Sequence, residues 1–600
     1  MLAEEWDKAL AAVRYPAAAI KRLVSAIREG VEIGYLGDRS VGRTAVNAKS
    51  TTDPRVAKLI SAAIDVDVAA GYKRGPFDSP PFPAFWVSPL GAVPKGPDGI
   101  RLIHNLSHPF GGESVNAGIE REEYIMQRFE DAVAGVRRLG RCALMTKFDV
   151  KAAFKLVPVR PSDYPLLGLK WEGKYYYEVV LPFGLRTSGY RWDEFAKALH
   201  LLTEVHLGVT YVYHYVDDFL LLAPPNQLER AVRERDAFQR LCERLGVPIA
   251  DEKTVGPSTE VVFLGITIDT QLMECRLTDK RRDQLRALLQ GWAIGGQHMS
   301  YEDLMSLVGK LDFACVVIRP GVTFMRRLRG IMMKMKAARL AGAPAGDSCR
   351  LDINTLLDVR WWLDVFLTPA GNRRPIVDDP WITAEKFELF TDACNLGYGA
   401  VFGNKWIQGK WSPEQLAFAR VNVRISIPYL ELHALVHAAV VWGPRWRGKQ
   451  IVFRCDAQAA VAAVDNMRSR NDGMSDLLRV LYAAAARHQF QFKCVHVAGE
   501  KNVIADALSR DCSVQDLLHL LPTAEVTPST SAPLTGAHLP VVPWELTATE
   551  VLQHAPLKVI YAQPYQREPA AVMRAPSPIS VSGEPATTIC PTAESPPTSS

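Results

Sequence analysis

Two adjacent carboxylates, Asp217 and Asp218, lie between apolar and aromatic runs within residues 211–222. The flanking residues are rich in β-formers and two prolines close the segment, a pattern that predicts a buried β-hairpin with an acidic tip. Adjacent acids repel each other, and an apolar setting makes their charge still less favourable unless a cation compensates. An Asp-Asp pair alone is more typical of a plain turn, but the flanking strands favour a divalent-metal site.

A third acid, Asp149, follows the apolar run 143–148. A single acid after such a run is a weak signal. Together with Asp217 and Asp218, it supplies the third carboxylate of a site that holds two divalent cations about 3.5–4 Å apart. Phosphoryl transfer at such a site requires positioning and charge neutralisation rather than a protein nucleophile.

Five segments between residues 86 and 270 resemble, in their order, the motifs of reverse transcriptases. They are an apolar hairpin with Lys95 and Arg101, the strand that ends at Asp149, Leu181-Pro-Phe-Gly184, Tyr215-Val-Asp-Asp218, and Lys253 followed by the Phe-Leu-Gly strand 261–268. Retroviral enzymes usually carry Gln where this chain has Phe183, whereas many retrotransposon enzymes carry Phe. The resemblance is therefore to a retrotransposon enzyme of the DIRS-like or long-terminal-repeat-like kind.

This resemblance implies a role for each matching residue. Lys95 and Arg101 would contact the incoming triphosphate, for which a guanidinium fork and an ammonium point charge are suited. The ring of Phe154 would crowd the sugar of the nucleotide, although an isolated Phe is more often a core residue. The remaining assignments are Phe183, Gly184 and Tyr215 to substrate binding, Lys253 to protonation of the leaving pyrophosphate, and Asp149, Val150, Asp217 and Asp218 to the metal ions.

A second set of acids lies in the last third of the chain. Three short strands from Phe387 predict an antiparallel meander, which helices and two further strands follow. Asp392 and Asp456 end strands, whereas Glu431 and Asp506 lie on helices, and this order resembles ribonuclease H. The resemblance implies that these four acids hold two cations that activate water against a phosphodiester. It also implies that His496 is the mobile histidine of that family.

The expected fold is an α+β right-hand polymerase (fingers, palm, thumb), followed by an α/β ribonuclease H-like domain and a disordered tail. The predicted divisions are an N-terminal helical region (1–80, with helix from Trp6 to Arg28), fingers and palm (81–275), a thumb-like basic helical region (276–345), a connection (346–384), the ribonuclease H-like domain (385–511) and the tail (512–600). The cations of residues 325–339 are expected to follow duplex phosphates. Fourteen of the forty prolines fall in residues 521–600, a composition typical of disorder.

The bulk composition excludes several classes of protein. The net charge of +5 is mild, so any basic surface must be local. Ten cysteines without one Cys-x-x-Cys pair argue against a zinc finger or a disulfide framework and favour a reducing compartment. The chain has neither a signal-peptide pattern nor an apolar run near the ~20 residues of a membrane span. We expect an intracellular protein of the cytoplasm or nucleus without a membrane partner.

The expected function is RNA-directed DNA polymerase (nucleotidyltransferase) activity together with ribonuclease H endonuclease activity. The implied cofactors are Mg²⁺ or Mn²⁺, two ions per active site. The implied partners are an RNA template, a DNA primer, dNTPs and RNA–DNA hybrids. Two alternatives remain at this stage: an RNA-dependent RNA polymerase, against which the second set of acids argues, and a decayed or domesticated element that only binds nucleic acid.

Overall fold

The computed structural model describes residues 1–95, 99–293, 298–343, 348–369, 371–376, 387–420, 426–447, 449–488 and 490–525. The turn predicted at residues 96–98 and the tail from residue 526 onward lie outside these ranges. Within them, none of the helices combines the length and apolar character that crossing a membrane requires.

The first half of the chain alternates helices with short strands. The helices are α1 (Ala3–Ala12), α2 (Ala17–Glu29), α3 (Pro54–Ala69), α4 (Phe129–Leu139), α5 (Ser188–Val205) and α6 (Leu228–Leu245). The strands are β1 (Arg43–Thr44), β2 (Lys73–Phe77), β3 (Trp86–Val87), β4 (Leu90–Lys95), β5 (Gly99–His104), β6 (Leu144–Asp149), β7 (Gly168–Trp171), β8 (Lys174–Glu178), β9 (Tyr211–Tyr215), β10 (Asp218–Ala223), β11 (Val255–Ser258), β12 (Glu260–Phe263), β13 (Ile266–Asp269) and β14 (Glu274–Leu277). The stretch from Trp6 to Arg28 is helical, as predicted, and is divided into two helices because Arg14 has a φ of 56° and Pro16 precedes the second.

A four-stranded sheet in the order β11-β6-β10-β9 lies at the centre of this half. Successive residues of β10 enter different cores, because side chains alternate between the faces of a strand. Leu220 and Leu222 join the core that continues into the C-terminal half, whereas Phe219 and Leu221 pack with α5 and α6. The unbroken apolar run of the sequence is therefore a strand buried on both faces.

The finger-like part combines the sheet β1-β3-β7-β8-β2 with the separate hairpin β4–β5. Helix α3 packs on this part, and its first turn is capped because the Asp53 carboxylate accepts from the N–H groups of Arg55 and Val56. At the start of β2, the buried Lys73 ammonium lies 2.7 Å from Asp67 and 2.8 Å from Glu178. The two carboxylates compensate for the desolvation of the buried ammonium, and the pair with Glu178 joins β2 to β8.

The Phe-Leu-Gly segment is a hairpin, and the prediction of one continuous strand over 261–268 is wrong. Strands β12 and β13 pair in antiparallel register, with Phe263 opposite Ile266. The two-residue turn places Leu264 at φ 49° and Gly265 at φ 76°. Two consecutive positive φ angles are typical of a type I′ turn, whose twist matches that of the flanking strands. The alternating apolar pattern continues on both sides of this turn, which hides it in the sequence.

The central region is helical, as predicted. It contains α7 (Asp279–Ala293), α8 (Tyr301–Ala314), α9 (Arg326–Leu340) and α10 (Ile353–Trp361), with short strands β15 (Met299–Ser300), β16 (Ser348–Cys349) and β17 (Arg373–Pro375). Strand β17 completes the sheet β12-β13-β14-β17. The buried Arg374 of β17 pairs with Glu130 of α4, at 2.5 Å. Part of the predicted connection thus belongs to the same packed unit as the palm-like sheet.

Helix α9 presents its arginines to other parts of the protein. Arg326 pairs with Asp472 at 2.6 Å, and Arg327 pairs with the fully buried Asp358 at 2.9 Å. The carboxylate of Asp358 also forms an ion pair with the buried Arg479, at 3.1 Å. Arg326 through Asp472, and Arg327 through Asp476 at 3.1 Å, therefore link this helix to the C-terminal domain. The expectation that the cations of residues 325–339 follow duplex phosphates stays a prediction.

The C-terminal domain is built on the five-stranded sheet β20-β19-β18-β21-β22. Its strands are β18 (Phe387–Ala393), β19 (Gly397–Phe402), β20 (Lys405–Lys410), β21 (Gln450–Cys455) and β22 (Gln491–His496), and its helices are α11 (Pro413–Arg420), α12 (Ser426–Trp442), α13 (Gln458–Asp465), α14 (Asp472–His488), α15 (Val503–Ser509) and α16 (Val514–Leu520). The first three strands form the predicted antiparallel meander, and β18, β21 and β22 run parallel. One apolar core joins this domain to the palm-like sheet through α8 to α10.

The boundary predicted for the disordered tail is wrong, because residues 513–525 are folded against the C-terminal domain. Ser513 caps α16 by accepting from the N–H of Asp516 at 3.1 Å. Leu517 is 1% exposed and packs with Trp406 and Leu508. The Trp406 Nε1–H then donates to the carbonyl of Glu525 at 2.8 Å. Averaging composition over the proline-rich remainder hides this short capped helix.

We expect a chain that ends at Asp511 to be less stable than the full chain by roughly 3 kcal/mol, because it loses the burial of Leu517 and exposes Trp406. A chain that ends at Glu525 should match the full chain. Urea denaturation monitored by tryptophan fluorescence measures both differences, with Leu517→Ala as a point variant that should reproduce most of the loss. Equal stability of the two truncated chains would show that α16 contributes nothing.

Candidate active sites

The central sheet places three predicted acids together. Asp149, the last residue of β6, lies directly opposite Asp218, the first residue of β10, and Asp217 occupies the turn between β9 and β10. Val216 turns the chain with φ 56°, an unusual conformation for a β-branched residue. The indole N–H of the buried Trp192 donates to the Val216 carbonyl at 2.7 Å and fixes the turn.

The electrostatics of this cluster favour a bound cation. The pKa of Asp217 is raised, first by burial and then by the charges of Asp218 and Asp149, while its own backbone N–H and Lys253 act in the opposite direction. Two lysines already neutralise neighbouring acids: Lys253 lies 2.7 Å from Asp149, and Lys147 lies 2.8 Å from Asp218. Carboxylates that repel each other at a partly buried strand end form a donor set that suits divalent metal ions.

Val150 lies beside the cluster, as the resemblance implies. Its N–H donates to the Asp217 carbonyl at 2.8 Å, and its side chain is buried. The carbonyl of Asp149 accepts from the N–H of Ala250 at 2.9 Å, which ties the end of β6 to the segment that carries Lys253. The backbone therefore holds the three acids and Lys253 in one frame.

Three of the predicted substrate-binding residues, Phe154, Phe183 and Gly184, have defined close contacts. The rings of Phe154 and Phe183 meet at 5.1 Å between centroids, and Phe183 is 45% exposed. Gly184 has φ 109°, and a Cβ there would lie 2.3 Å from the His104 carbonyl at the end of β5. Only glycine fits this close approach. The Leu-Pro-Phe-Gly turn is thereby pressed against the strand that carries Arg101.

The other three substrate-binding residues are placed less closely. Arg101 is exposed on β5 opposite Val93, whereas Lys95 ends β4 and its side chain lies outside the described part of the chain. Tyr215 is 37% exposed next to the acidic turn. No contact between these three side chains and Phe154 is among the contacts of the described residues, so their joint role stays a prediction.

The C-terminal sheet brings the second set of acids together. Asp392 near the end of β18 and Asp456 just after β21 lie on neighbouring parallel strands. Glu431 on α12 is held from two sides: the Ala393 N–H donates to its Oε1 at 3.0 Å, and the Cys455 thiol lies 3.7 Å from its Oε2. Ligand atoms of Glu431, Cys455 and Asp456 lie within 4.8 Å of one another.

Asp506 reaches this cluster because helix α15 packs closely on β19. A Cβ at Gly399 would lie 2.5 Å from the Ala505 carbonyl, so a larger residue would push the helix away. The buried Asn502 precedes the helix and donates from its side-chain amide to the Thr391 carbonyl at 2.9 Å. This contact fixes the beginning of α15 beside the strand that ends in Asp392.

Burial and mutual repulsion raise the pKa values of the second set. The pKa of Glu431 rises to about 9, first through burial and then through Asp392 and Asp456. The pKa of Asp392 is also raised, by burial first, with Asp456 and Asp506 adding to the effect. A carboxyl group that carries a proton at neutral pH next to other acids is a site where a divalent cation would restore charge balance. The donor set therefore fits the implied metal ions.

His496 ends β22, next to Cys455 on β21 in the parallel register, and is exposed. An exposed side chain at the end of a strand has freedom to move, as the resemblance to ribonuclease H implies. The structure thus brings Asp392, Glu431, Asp456 and Asp506 to one edge of the sheet, with His496 at the rim.

The sequence analysis did not identify four residues that contact the two clusters of acids or their supporting turn: Lys147, Trp192, Cys455 and Arg510. Lys147 lies two residues before Asp149, on the same face of β6, so strand periodicity was an available signal. Cys455 directly precedes Asp456, and Arg510 follows Asp506 by one helical turn. Trp192 had no such signal, because its contact with the Val216 carbonyl depends on how α5 packs under the hairpin.

Two buried histidines, His433 and His437, follow Glu431 on α12. His433 packs edge-on against Trp411 at 5.1 Å, and His437 packs against Tyr398 at 5.0 Å. Burial lowers the pKa of His433 to about 3 and that of His437 to about 4. Both side chains are therefore neutral in the folded protein, whereas in the unfolded chain they bind protons below about pH 6.5.

Acid is therefore expected to destabilise the C-terminal domain through these histidines. Because the folded pKa values are depressed, the unfolded chain gains protons first, and stability falls as pH falls from about 6.5 toward 4. Between pH 7.5 and pH 5 the two side chains together account for roughly 4 kcal/mol. Chemical denaturation at both pH values should show a smaller loss for His433→Leu/His437→Leu than for wild type, with the exposed His519→Leu as control. An equal loss in the double variant would refute this expectation.

The chain is similar in sequence and in structure to several known proteins. Residues 100–268 match the family described as "Reverse transcriptase (RNA-dependent DNA polymerase)". Polyprotein P3 of Commelina yellow mottle virus is 22% identical over 420 residues, which cover 67% of this chain and 20% of that protein. The transposon Tf2-3 polyprotein of Schizosaccharomyces pombe is 21% identical over 434 residues, which cover 70% of this chain and 29% of that protein.

Among solved structures, a foamy viral protease-reverse transcriptase in complex with double-stranded DNA has a TM-score of 0.45 and 13% identity, and covers 83% of this chain and 82% of that one. The chain spans less than a third of the length of the two polyproteins. Residues 100–268 thus resemble a reverse transcriptase domain, and the resemblance of the chain to reverse transcriptases of retroelements is confirmed.

Proposed function

We propose that the chain is the RNA-directed DNA polymerase of a retrotransposon and that its C-terminal domain is a ribonuclease H that cleaves the RNA strand of RNA–DNA hybrids. The observation that carries the proposal is the convergence of Asp149, Asp217 and Asp218 at the end of the central sheet, within the matched domain. The second convergence, of four acids at the edge of the C-terminal sheet, supports the nuclease assignment.

In the polymerase site, Asp149, Val150, Asp217 and Asp218 would hold two Mg²⁺ or Mn²⁺ ions. These cations activate the 3′-hydroxyl of a DNA primer and neutralise the departing pyrophosphate when bound. Lys253, whose ammonium group lies 2.7 Å from Asp149, would give a proton to the leaving group. Arg101 and Lys95 on the hairpin β4–β5 would bind the triphosphate of a dNTP.

In the nuclease site, Asp392, Glu431, Asp456 and Asp506 would hold the second pair of divalent cations, which activate water against an RNA phosphodiester when bound. His496, which is exposed at the rim, would move a proton near the departing strand. Recognition of the hybrid would depend on its backbone and duplex shape rather than on its sequence.

Primer extension by the purified chain on poly(rA)/oligo(dT), with Mg²⁺ or Mn²⁺, tests the polymerase assignment. We expect dTTP incorporation that stops on addition of EDTA. The same reaction with an RNA primer and ribonucleotides separates this function from that of an RNA-dependent RNA polymerase, which would prefer the ribonucleotides. Absence of dTTP incorporation by folded protein would overturn the proposal.

A further inference from the structure

Arg510, the residue that follows the end of helix α15, pairs with Asp506, one of the acids proposed to bind metal. Arg510 lies one turn after Asp506, and its Nε donates to Oδ1 at 3.0 Å and to Oδ2 at 3.1 Å. Its Nη2 donates again to Oδ1, at 2.8 Å. Both carboxylate oxygens of Asp506 are thus taken by one guanidinium, in the forked geometry that arginine forms with carboxylates.

The charge of this arginine acts on more than one acid of the cluster. The positive charge of Arg510 opposes the raised pKa of Asp392, and Asp506 and Asp392 both contribute to the raised pKa of Arg510. Arg510 therefore compensates part of the repulsion among the acids from the solvent side of the cluster.

The ion pair between Arg510 and Asp506 is exposed to solvent, so its partners can exchange. The side chain of Arg510 is 60% exposed and that of Asp506 is 42% exposed, in contrast to the buried Glu431 of the same cluster. Exposed pairs between residues i and i+4 of a helix are weak, because solvent screens them and the side chains lose little on parting. A divalent cation bound at Asp506 competes for the same two oxygens and repels the guanidinium.

We propose that Arg510 is an exchangeable counter-ion, which pairs with Asp506 when no metal is bound and moves to a backbone phosphate of the nucleic-acid substrate when a divalent cation takes its place. The inference rests on the proposed nuclease function of this cluster. A guanidinium fork fits two phosphate oxygens as it fits two carboxylate oxygens, and the long exposed side chain leaves the phosphate within reach. The substrate class is the phosphodiester backbone of an RNA–DNA hybrid.

Mn²⁺ binding to the full chain, measured from the free Mn²⁺ signal by electron paramagnetic resonance, tests the first half of the proposal. All proteins carry Asp217→Asn/Asp218→Asn, so that the palm-like site contributes little. Arg510→Gln should bind Mn²⁺ about threefold more tightly than its parent, because the competing cation is gone. The control is Lys449→Gln, which removes the same charge at the opposite end of β21, where Lys449 lies over the Phe387 ring.

Binding of a fluorescent RNA–DNA hybrid in Mn²⁺, as a function of salt, tests the second half. Asp506→Asn, Arg510→Gln and Arg510→Lys are compared with the parent on a hybrid of non-cleavable phosphate chemistry. Arg510→Gln should weaken the hybrid severalfold and reduce the salt slope by about one ion, while Arg510→Lys should retain part of the affinity. In the Mn²⁺ measurement of the first half, the control Lys449→Gln should leave the binding of Mn²⁺ unchanged.

Weaker or unchanged Mn²⁺ binding by Arg510→Gln overturns the inference, because an arginine that only positions Asp506 would help the metal to bind. Unchanged hybrid affinity and salt slope would overturn the transfer to phosphate. If the parent binds no Mn²⁺, or if Asp456→Asn does not weaken that binding, both the nuclease assignment and the inference fail. Failure of the inference alone therefore has its own signature: Mn²⁺ binding that depends on Asp456 and not on Arg510.

Discussion

Replacing Asp217 by Asn is expected to lower DNA synthesis at least about a thousandfold, since several kcal/mol of charge stabilisation of the transition state depend on its carboxylate. Asp217 sits in the turn between β9 and β10, where its pKa is already raised by burial and by Asp218 and Asp149. An amide of the same shape leaves the hairpin intact, because Trp192 holds the turn through the Val216 carbonyl. Single-nucleotide extension of a labelled primer measures the loss.

Hybrid cleavage by the same variant should remain within about threefold of wild type, because the second set of acids lies on a different sheet. Asp456→Asn should have the reverse effect. Asp236→Asn is the matched control and should change neither activity, because this half-buried α6 residue pairs only with the neighbouring Arg235 among its ion pairs in the described residues. If Asp217→Asn lost both activities while still folded and bound to hybrid, the division into two independent sites would be wrong.

Replacing Phe154 by Val is expected to reduce the preference for deoxynucleotides strongly. A ribonucleotide differs only by a 2′-hydroxyl, and a rigid ring where that oxygen would lie rejects it sterically. Without such a ring, an apolar pocket discriminates against an added hydroxyl by no more than roughly a hundredfold. Phe154 follows Asp149 by five residues, and its ring is supported by Phe183 at 5.1 Å. The ratio of kcat/KM for dCTP and CTP, in wild type and variant, measures the change.

Phe183→Val serves as the companion variant. It removes the supporting ring but leaves Phe154 in place, so we expect a smaller loss of sugar selectivity. If Phe154→Val lowered kcat/KM equally for dCTP and CTP, the ring would be a packing residue and the steric role would be refuted.

The acidic hairpin was predictable because its information is local. An apolar run with β-formers on both sides of two acids predicts two strands, and a period of two fixes which residues share a face. The ion pair between Lys147 and Asp218 was not predictable in the same way, because it depends on the register between two strands distant in sequence.

The errors also have physical causes. The proline-rich composition of the last residues was applied from residue 512, although Ser513, Leu517 and the contact of Glu525 with Trp406 stabilise a further helix. The ion pairs of Arg326 and Arg327 on α9 were not predicted, because composition reveals charge but not its partners. Their partners, Asp358 and Asp472, lie in parts of the chain that only the tertiary structure brings near.

The chemistry of the second cluster depends on contacts that the sequence suggested only in part. The four acids were identified from their order along the sequence. The close packing of α15 on β19, however, depends on Gly399, which lacks the Cβ that would meet the Ala505 carbonyl. Likewise, the pKa of about 9 for Glu431 results from the burial of this α12 side chain together with the charges of Asp392 and Asp456. Burial of this kind depends on the packing of the whole domain.

One reaction tests the central claim most directly: a DNA primer labelled at its 5′ end is annealed to an RNA template that carries a second label, and both strands are followed with Mg²⁺ and all four dNTPs. The account predicts that wild type lengthens the DNA and shortens the RNA, that Asp217→Asn only shortens the RNA, and that Asp456→Asn only lengthens the DNA. Wild-type protein that binds this hybrid but changes neither strand, with Mg²⁺ or with Mn²⁺, would contradict it.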